Sequence, residues 1–235
     1  TCAELEETHD AVFLRLGAWG SRAMGIAGED HGAVVQGTDF LRKVNEGERP
    51  TLPAQIVVIG GGNTAMDAAR CARRLGANVT VAYRRTAEEM PALEHEVREA
   101  EDEGVVFRYL TQPIEFMTDG EALNGVRCVR MELGAPDESG RRRPVPVEGS
   151  EFTLPARAAI LAVGQVIDSS CLDGTDIDRA RDGAIRIDPL TGRTSRPKVF
   201  AGGDAVSGPS IAVEAIAAGH RAADAIDRVL RGEPL

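Results

Sequence analysis

One short segment constrains the fold of this chain more than any other. Residues 56–67 read IVVIGGGNTAMD, in which Gly60, Gly62 and Ala65 form the pattern G-x-G-x-x-A. The pattern follows an apolar run typical of a buried strand and precedes an Ala- and Arg-rich stretch that predicts a helix over 64–75. In such a unit the first glycine permits a tight turn, the second lets the backbone approach a pyrophosphate, and the small third residue lets the helix pack on the strand. The free amides at the start of the helix then face the anion, so we expect a dinucleotide site at this turn.

The end of the next strand, which we expect at 79–83, indicates which dinucleotide is bound. A site specific for NAD places an acidic residue there, where it accepts hydrogen bonds from the ribose 2′-hydroxyl. This chain has Arg84 and Arg85 instead. Two guanidinium groups at this place are suited to bind a 2′-phosphate, and the alternative is a solvated pair of surface arginines. We interpret the site as one that prefers NADP.

The remaining elements predict an α/β protein. Apolar runs that end in glycine indicate strands buried on both faces, as in parallel sheets, at 11–14, 159–163 and 199–201. Two further helices are expected, at 88–103 (entered near Pro91) and at 211–230. Other stretches are antiparallel or loop-like, with strands at 105–107, 114–117 and 126–133, a hairpin within 134–150 and a linker at 46–53.

A second glycine pair follows the strand at 199–201. Gly202, Gly203 and Asp204 come at the end of this strand and precede the long helix. An aspartate in this position can bond a ribityl hydroxyl while the start of the helix faces a phosphate or a ring oxygen. The alternative is an ordinary Gly-Asp turn.

Composition excludes several classes of function. The chain has 27 Lys and Arg against 37 Asp and Glu, which gives a net charge of −10 and disfavours nucleic-acid and anionic-membrane partners. No apolar stretch reaches the roughly 18 residues of a membrane span, and no signal peptide is recognised. The four cysteines lack C-x-x-C or zinc spacing, so we expect reduced thiols in a cytoplasmic protein, without a metal site or an iron–sulfur cluster in this chain. Because the first residue is Thr, we expect the chain to be part of something longer.

Seven segments together form a pattern that covers nearly the whole chain. They are VVIGGGNTAMDAAR (57–70), AYRR (82–85), EEMPA (88–92), GRRRPVPV (140–147), ILAVGQ (160–165), FAGGD (200–204) and AIAAGHRAA (215–223). In order and content they resemble the pyridine-nucleotide/flavin oxidoreductases of the glutamate synthase small-subunit type, within the pyridine nucleotide-disulfide oxidoreductase superfamily.

The resemblance implies a fold and a division of the chain. It implies a Rossmann-like NADP-binding domain (23–165) inserted in an incomplete FAD-binding domain, of which 1–22 is the end of the first segment and 166–235 is the C-terminal segment. The family's first βαβ unit, with its own G-x-G-x-x-G for FAD, has no counterpart in this sequence. The cysteine-rich module that holds iron–sulfur clusters in the family has none either.

The resemblance also implies an activity and a set of cofactor-binding residues. A hydride would pass from NADPH to FAD, and electrons would then leave to iron–sulfur clusters or a partner subunit outside this chain. The cofactors supply this chemistry, so we expect no catalytic side chain. The implied binding residues are Gly60, Gly61, Gly62, Asn63, Thr64 and Ala65 for the pyrophosphate, Arg84 and Arg85 for the 2′-phosphate, Gly164 near the nicotinamide, and Gly203, Asp204, Ser210 and Ile211 for FAD.

Three other interpretations remain. A thioredoxin-reductase-like enzyme shares the glycine and arginine elements but needs a C-x-x-C, which this sequence lacks. The chain can instead be an NADP-binding module without catalysis, because the second glycine motif for FAD is missing. It can also be an interaction protein that uses the basic hairpin around Arg141, Arg142 and Arg143. Because the rest of the molecule is acidic, that run is more typical of a solvated turn, or of a contact with a partner subunit, than of a nucleic-acid site.

Overall fold

The chain forms two compact units. The computed structural model describes residues 1–136 and 140–235. Unit 1 comprises Thr1–Gly20 and Gln165–Leu235, and unit 2 comprises Ser21–Gly164, so unit 2 is an insertion in the sequence of unit 1. The α/β class expected from the sequence is confirmed. The assignment of a nucleotide domain and two flavin segments, whose boundaries lie close to those of the units, stays a prediction.

The described residues form six α-helices and thirteen strands, joined by loops and two short 3-10 helices. The helices are α1 (Cys2–Thr8), α2 (Gly37–Asn45), α3 (Asn63–Arg74), α4 (Glu94–Asp102), α5 (Asp204–Ser207) and α6 (Ala212–Leu230). The strands are β1 (Val12–Leu14), β2 (Gly20–Ser21), β3 (Val34–Gln36), β4 (Gln55–Ile59), β5 (Asn78–Ala82), β6 (Val106–Arg108), β7 (Thr111–Asp119), β8 (Ala122–Pro136), β9 (Arg142–Pro146), β10 (Phe152–Leu154), β11 (Ala158–Leu161), β12 (Gln165–Val166) and β13 (Val199–Ala201).

Unit 2 is built on a five-stranded parallel sheet. Its strand order is β3-β11-β4-β5-β6, and every neighbouring pair is parallel. The central strand β4 is buried on both faces, because Ile56 and Val58 belong to one apolar cluster and Val57 and Ile59 to another. A strand with two buried faces reads as a continuous apolar run, which is the pattern that predicted it.

Helices cover one face of this sheet and a second sheet covers the other. Ala65, Ala68 and Ala72 of α3 are fully buried with Ile56 and Val58, because alanine lets a helix approach a sheet closely. On the other face lie β10, β8 and β7 of an antiparallel sheet, whose fourth strand β9 pairs with β8. The hairpin expected within 134–150 is formed by β8 and β9, and three of its residues (137–139) lie outside the described residues.

Unit 1 contains less regular structure. Its strands β1 and β13 form a two-stranded parallel sheet. Val199 and Ala201 of β13 pack with Val12 and Leu14 of β1, while Phe200 packs with residues of α6. The rest of unit 1 is mostly loop, with a short 3-10 helix at Ser170–Leu172.

Two predicted elements were wrong in part. The helix expected over 88–103 begins only at Glu94, since a 3-10 helix (Ala87–Glu89) and an extended stretch around Pro91 precede it. Proline disfavours helical geometry in the residue before it, which explains the break. The strand expected among the antiparallel elements at 105–107 is β6, which instead extends the parallel sheet beside β5.

Candidate functional site: a glycine turn and an arginine-lined cavity in unit 2

The turn between β4 and α3 has the close packing that the glycine pattern predicted. Gly60 has a φ of +142°, and a Cβ on it would lie 2.2 Å from the carbonyl oxygen of Ala162. A Cβ on Gly61 would lie 2.4 Å from the ring of Tyr83. Neither position can hold a side chain without moving its neighbours. Gly62 is different, because its Cβ would meet only Pro91, at 4.0 Å, so the space beside it is open to a ligand.

The start of α3 is prepared for an anion. Gly62 is the N-cap residue and supplies no side-chain cap, and the first turn of the helix contains no acidic residue. Among the described residues, none accepts a hydrogen bond from the N–H groups of Asn63 or Thr64. Unpaired amides and the positive end of a helix dipole together favour a bound phosphate. The arrangement therefore fits the pyrophosphate of a dinucleotide.

The first residues of α3 are held by the protein itself. The Asn63 side-chain oxygen accepts a hydrogen bond from the N–H of Leu93 at 3.0 Å, so this side chain secures the stretch after Pro91. Ala65 is fully buried against the sheet, as its small size predicted. We expect the pyrophosphate to be bound by the backbone of Asn63, Thr64 and Ala65. This stays a prediction.

Tyr83 and the two arginines after it follow β5. The Tyr83 hydroxyl donates to the carbonyl of Glu89 at 2.7 Å, and its ring lies against Gly61. Leu110, which has a φ of +49°, donates its N–H to the carbonyl of Arg85 at 3.0 Å. Thr111 N–H donates to the carbonyl of Tyr83 at 2.9 Å. The backbone around Arg84 is thus held on both sides.

Arg84 and Arg85 have different surroundings, although the sequence pattern predicted the same role for both. Arg85 is only 3% exposed and its Nε donates to the carbonyl of Arg142 at 2.8 Å. Arg84 is exposed, and no ion pair joins it to another described residue. Desolvation, followed by repulsion from Arg85, lowers the pKa of Arg84, and the charges of Arg141 and Arg22 act in the same direction. Cations held close together favour the binding of an anion between them.

These residues surround one cavity of about 480 Å³, all of whose walls belong to unit 2. It brings together six of the residues expected to bind cofactor, namely Gly60, Gly61, Gly62, Arg84, Arg85 and Gly164. No cofactor contact was expected from the other walls, which include Arg22, Pro91, Thr111, Gln112, Pro113 and Arg141. Of these, Arg141 and Pro91 lie in segments that carry the family resemblance, GRRRPVPV and EEMPA, and the remaining four had no visible signal. Gly164 has a φ of +123° with open space around it, and its carbonyl accepts the N–H of Arg22 at 3.0 Å.

The second glycine pair lies in unit 1. Gly202 is needed for packing, because a Cβ there would lie 3.1 Å from both Phe13 and Ala218. Asp204 begins the short helix α5, and its carboxylate accepts the N–H of Ser210 at 3.3 Å. Ile211 is the N-cap of α6 and is 61% exposed. Contacts from Gly203, Asp204, Ser210 and Ile211 to a flavin stay a prediction, and this donor set fits only part of so large a cofactor.

The described residues contain no group of His, Cys, Asp and Glu side chains that could hold a metal ion. The four cysteines (Cys2, Cys71, Cys128 and Cys171) are all free. No helix within residues 1–136 and 140–235 has the length and apolar character needed to cross a membrane.

A doubly covered parallel sheet with a glycine turn, an uncapped helix and basic cavity walls defines an α/β protein with a Rossmann-like core. Residues 3–219 match the family model of the pyridine nucleotide-disulphide oxidoreductases. The chain belongs to this family, whose members are NAD(P)-dependent flavoprotein oxidoreductases.

Curated relatives confirm the resemblance to the glutamate synthase small-subunit type. The chain is 49% identical to the NADP(+)-dependent formate dehydrogenase subunit beta of Moorella thermoacetica, over 98% of this chain and 33% of that protein. It is 42% identical to the NADPH-Fe(3+) oxidoreductase subunit beta of Geobacter sulfurreducens, over 97% of this chain and 38% of that protein. It is 40% identical to the glutamate synthase [NADPH] small chain of Escherichia coli, over 95% of this chain and 51% of that protein. The chain thus spans between a third and a half of the length of these relatives.

Solved structures agree on the fold. The thioredoxin reductase of T. acidophilum superposes with a TM-score of 0.74 at 22% identity, over 94% of this chain and 66% of that one. At this level of identity the likeness concerns the fold alone.

Proposed function

We propose that this chain is the NADPH-binding part of a flavin oxidoreductase, in which a hydride passes from NADPH to FAD and electrons leave to iron–sulfur clusters or a partner subunit. One observation carries the proposal. A single cavity has the open Gly62, which is the N-cap residue of α3 and supplies no side-chain cap, in its wall together with an exposed arginine, Arg84. These are the two kinds of anion site that a phosphorylated dinucleotide requires.

The pyrophosphate is assigned to the turn between β4 and α3. Gly60 and Gly61 shape the turn, and Gly62 leaves room for the phosphates beside the amides of Asn63 and Thr64. The absence of an acidic side chain in the first turn of α3 removes a source of repulsion.

The 2′-phosphate is assigned to the basic wall of the cavity. Arg84 offers an exposed guanidinium, and Arg85 adds charge from its buried position beside it. An acidic residue would be needed here to bond a 2′-hydroxyl, and β5 is followed by arginines instead. The names of the relatives, which specify NADPH or NADP(+), support the same preference.

The nicotinamide is assigned to the part of the cavity near Gly164, where an open glycine leaves space for a flat ring. Asp204, Ser210 and the start of α6 are assigned to FAD. A bound flavin would supply the hydride acceptor, and this chain's own residues would bind and orient the nucleotide. No side chain is proposed as a catalytic acid or base.

Arg84→Ala tests the nucleotide assignment. We expect NADPH to bind about tenfold more weakly, which corresponds to about 1.4 kcal/mol, while NADH binding stays unchanged. Titration calorimetry with both nucleotides measures this. The control is Arg98→Ala, which removes an arginine from the exposed face of α4. Arg84 is preferred to Arg85 because loss of Arg85 also breaks its bond to Arg142. Equal weakening of NADPH and NADH would contradict the assignment.

A second candidate is an NADP-binding module without catalysis of its own. The observation in its favour is that the sequence contains one dinucleotide glycine pattern, at Gly60–Ala65, whereas a protein that binds FAD and NADP uses two. The visible absorption spectrum separates the candidates. Flavin bands that bleach when NADPH is added without oxygen support the oxidoreductase, and a colourless protein that binds NADPH supports the binding module.

A further inference from the structure

The start of strand β9 is tied to the loop that follows β5. Arg85 Nε donates to the carbonyl of Arg142 at 2.8 Å, and Arg142 Nε donates to the carboxylate of Glu89 at 2.6 Å. The carbonyl of Glu89 in turn accepts the hydroxyl of Tyr83, whose ring packs against the glycine turn. The hairpin of β8 and β9 is therefore held at the nucleotide cavity by charge-assisted hydrogen bonds, which are stronger than neutral ones.

This attachment determines where Arg141 lies. It directly precedes Arg142, is half-buried, and lines the same cavity as Arg84 and Arg85. Its charge is close enough to Arg84 to help lower the pKa of that guanidinium, after desolvation and Arg85. Two cations that are brought together from distant parts of the chain repel each other, and an anion between them removes that repulsion.

We infer that Arg141 is a further specificity-determining residue, whose guanidinium contacts the 2′-phosphate of the bound nucleotide together with that of Arg84. The inference rests on the proposed function and extends it, because the hairpin then contributes directly to the choice between NADPH and NADH. Arg85, which the sequence paired with Arg84, holds the hairpin through its bond to Arg142. The phosphate is thus contacted from both the loop after β5 and the start of β9.

The test compares two ligands that differ only in the 2′-phosphate. Titration calorimetry measures the binding of 2′,5′-ADP and of 5′-AMP to the protein and to Arg141→Ala. We expect the variant to bind 2′,5′-ADP about tenfold more weakly and 5′-AMP as well as before. Arg141→Lys keeps the charge but not the bidentate geometry, so it should weaken the binding of 2′,5′-ADP less than Arg141→Ala does. The matched control is Arg143→Ala, two residues along β9 and outside the cavity wall, which should change neither affinity.

The possible results separate this inference from the proposal on which it rests. If the unaltered protein shows no preference for 2′,5′-ADP, the proposed NADPH site is wrong and the role of Arg141 falls with it. If the preference exists and Arg141→Ala retains it, only the role of Arg141 is wrong. Equal weakening of both ligands would place Arg141 against the adenosine or the 5′-phosphate and would also overturn the inference. Thermal unfolding of each variant shows that it is folded, and Arg141→Met, which keeps the length of the side chain, replaces Arg141→Ala if that variant unfolds.

Discussion

Two turns in this protein have similar sequences and different support. Gly60–Gly62 follows β4 in unit 2, and Gly202–Gly203 follows β13 in unit 1, each at the end of a buried strand. Strand β4 is the centre of a five-stranded sheet, whereas β13 belongs to a sheet of two. Five residues of the 12-residue α3 are buried, against two of the 19 residues of α6. Two strands alone are marginally stable, so the turn of unit 1 depends more on the loops and helices that pack against β1 and β13.

The apolar side chains at the start of α6 show the same difference. Ile211, Val213 and Ile216 are 61%, 69% and 58% exposed. The corresponding part of α3 contributes Ala65, Met66 and Ala69, which are all fully buried. The helix after the glycine turn of unit 2 is therefore buried from its first turn onward, whereas α6 of unit 1 is buried only at Ala222 and Ala225. The core beside the turn of unit 1 is completed instead by the short helix α5, through Ala205.

The largest effect is expected from replacing the first glycine of the unit 2 turn. Gly60→Ala puts a Cβ 2.2 Å from a backbone oxygen at a φ of +142°, so both overlap and strain oppose it. We expect a loss of roughly 3 kcal/mol or more in the free energy of unfolding. Gly203→Ala meets its nearest atom at an ordinary 3.5 Å and should cost only about 1–2 kcal/mol, from its φ of +66°. Urea unfolding measures both.

The control for this pair is Gly62→Ala, where the added Cβ has open space. It should change the stability by less than about 1 kcal/mol and weaken NADPH binding, because the methyl group occupies the space assigned to phosphate. Equal destabilisation by Gly60→Ala and Gly203→Ala would show that the two turns do not differ in the way described.

An intermediate effect is expected in the ion-pair network that joins α3 to α4 in unit 2. Arg70, whose side chain is 16% exposed, contacts Glu96, Glu99 and Glu103 at 2.8, 2.7 and 2.9 Å. Arg70→Ala leaves these carboxylates together without their shared cation, and we expect a loss of about 1–2 kcal/mol. Arg98→Ala, which removes an exposed pair with Glu94, should cost about 0.3–0.5 kcal/mol.

The same network predicts that the stability of the folded protein depends on pH. Hydrogen bonds from Arg74 and Arg70 hold the pKa of Glu103 below its ordinary value of 4.5. A lowered pKa stabilises the folded state above the unfolded value, and this contribution is lost as the pH falls through the folded value. The stability of the protein should therefore decrease below about pH 4.5, and less steeply in Arg70→Ala. Parallel acid-unfolding curves would contradict this account.

The least disruptive test compares the reactivity of two cysteines, one in each unit. Burial raises the pKa of Cys128 in unit 2 to about 12, and its side chain is inaccessible, so the reactive thiolate is absent near neutral pH. Cys171 in unit 1 is exposed. Iodoacetamide at pH 8 should label Cys171 within minutes and Cys128 only after unfolding, as read by peptide mass spectrometry. Rapid labelling of Cys128 would mean that the core of unit 2 opens more readily than its packing implies.

Several features of the candidate site could be predicted from neighbouring residues alone. The strand β4, the glycine turn and α3 lie within 20 residues of sequence, and their apolar period, glycines and alanines each indicate the local structure. The long helix α6 and the buried strands β11 and β13 were predicted for the same reason. By contrast, α1 and β3 gave no prediction because they are too short to show a clear period, and α2 was missed although Phe40, Leu41 and Val44 form an apolar helix face.

The sequence by itself determined the α/β class, the glycine turn and the basic character of the residues after β5, since each depends on side chains that are adjacent along the chain. Only the tertiary structure decided that Arg84 is exposed while Arg85, in the same cavity wall, is buried. Arg85 is buried because it bonds a carbonyl 57 residues away, and the same bond brings Arg141 to Arg84. Pro91 reaches the cavity wall because Asn63 bonds Leu93, 30 residues further on. Contacts over such distances depend on how sheets and hairpins pack, which no local pattern records.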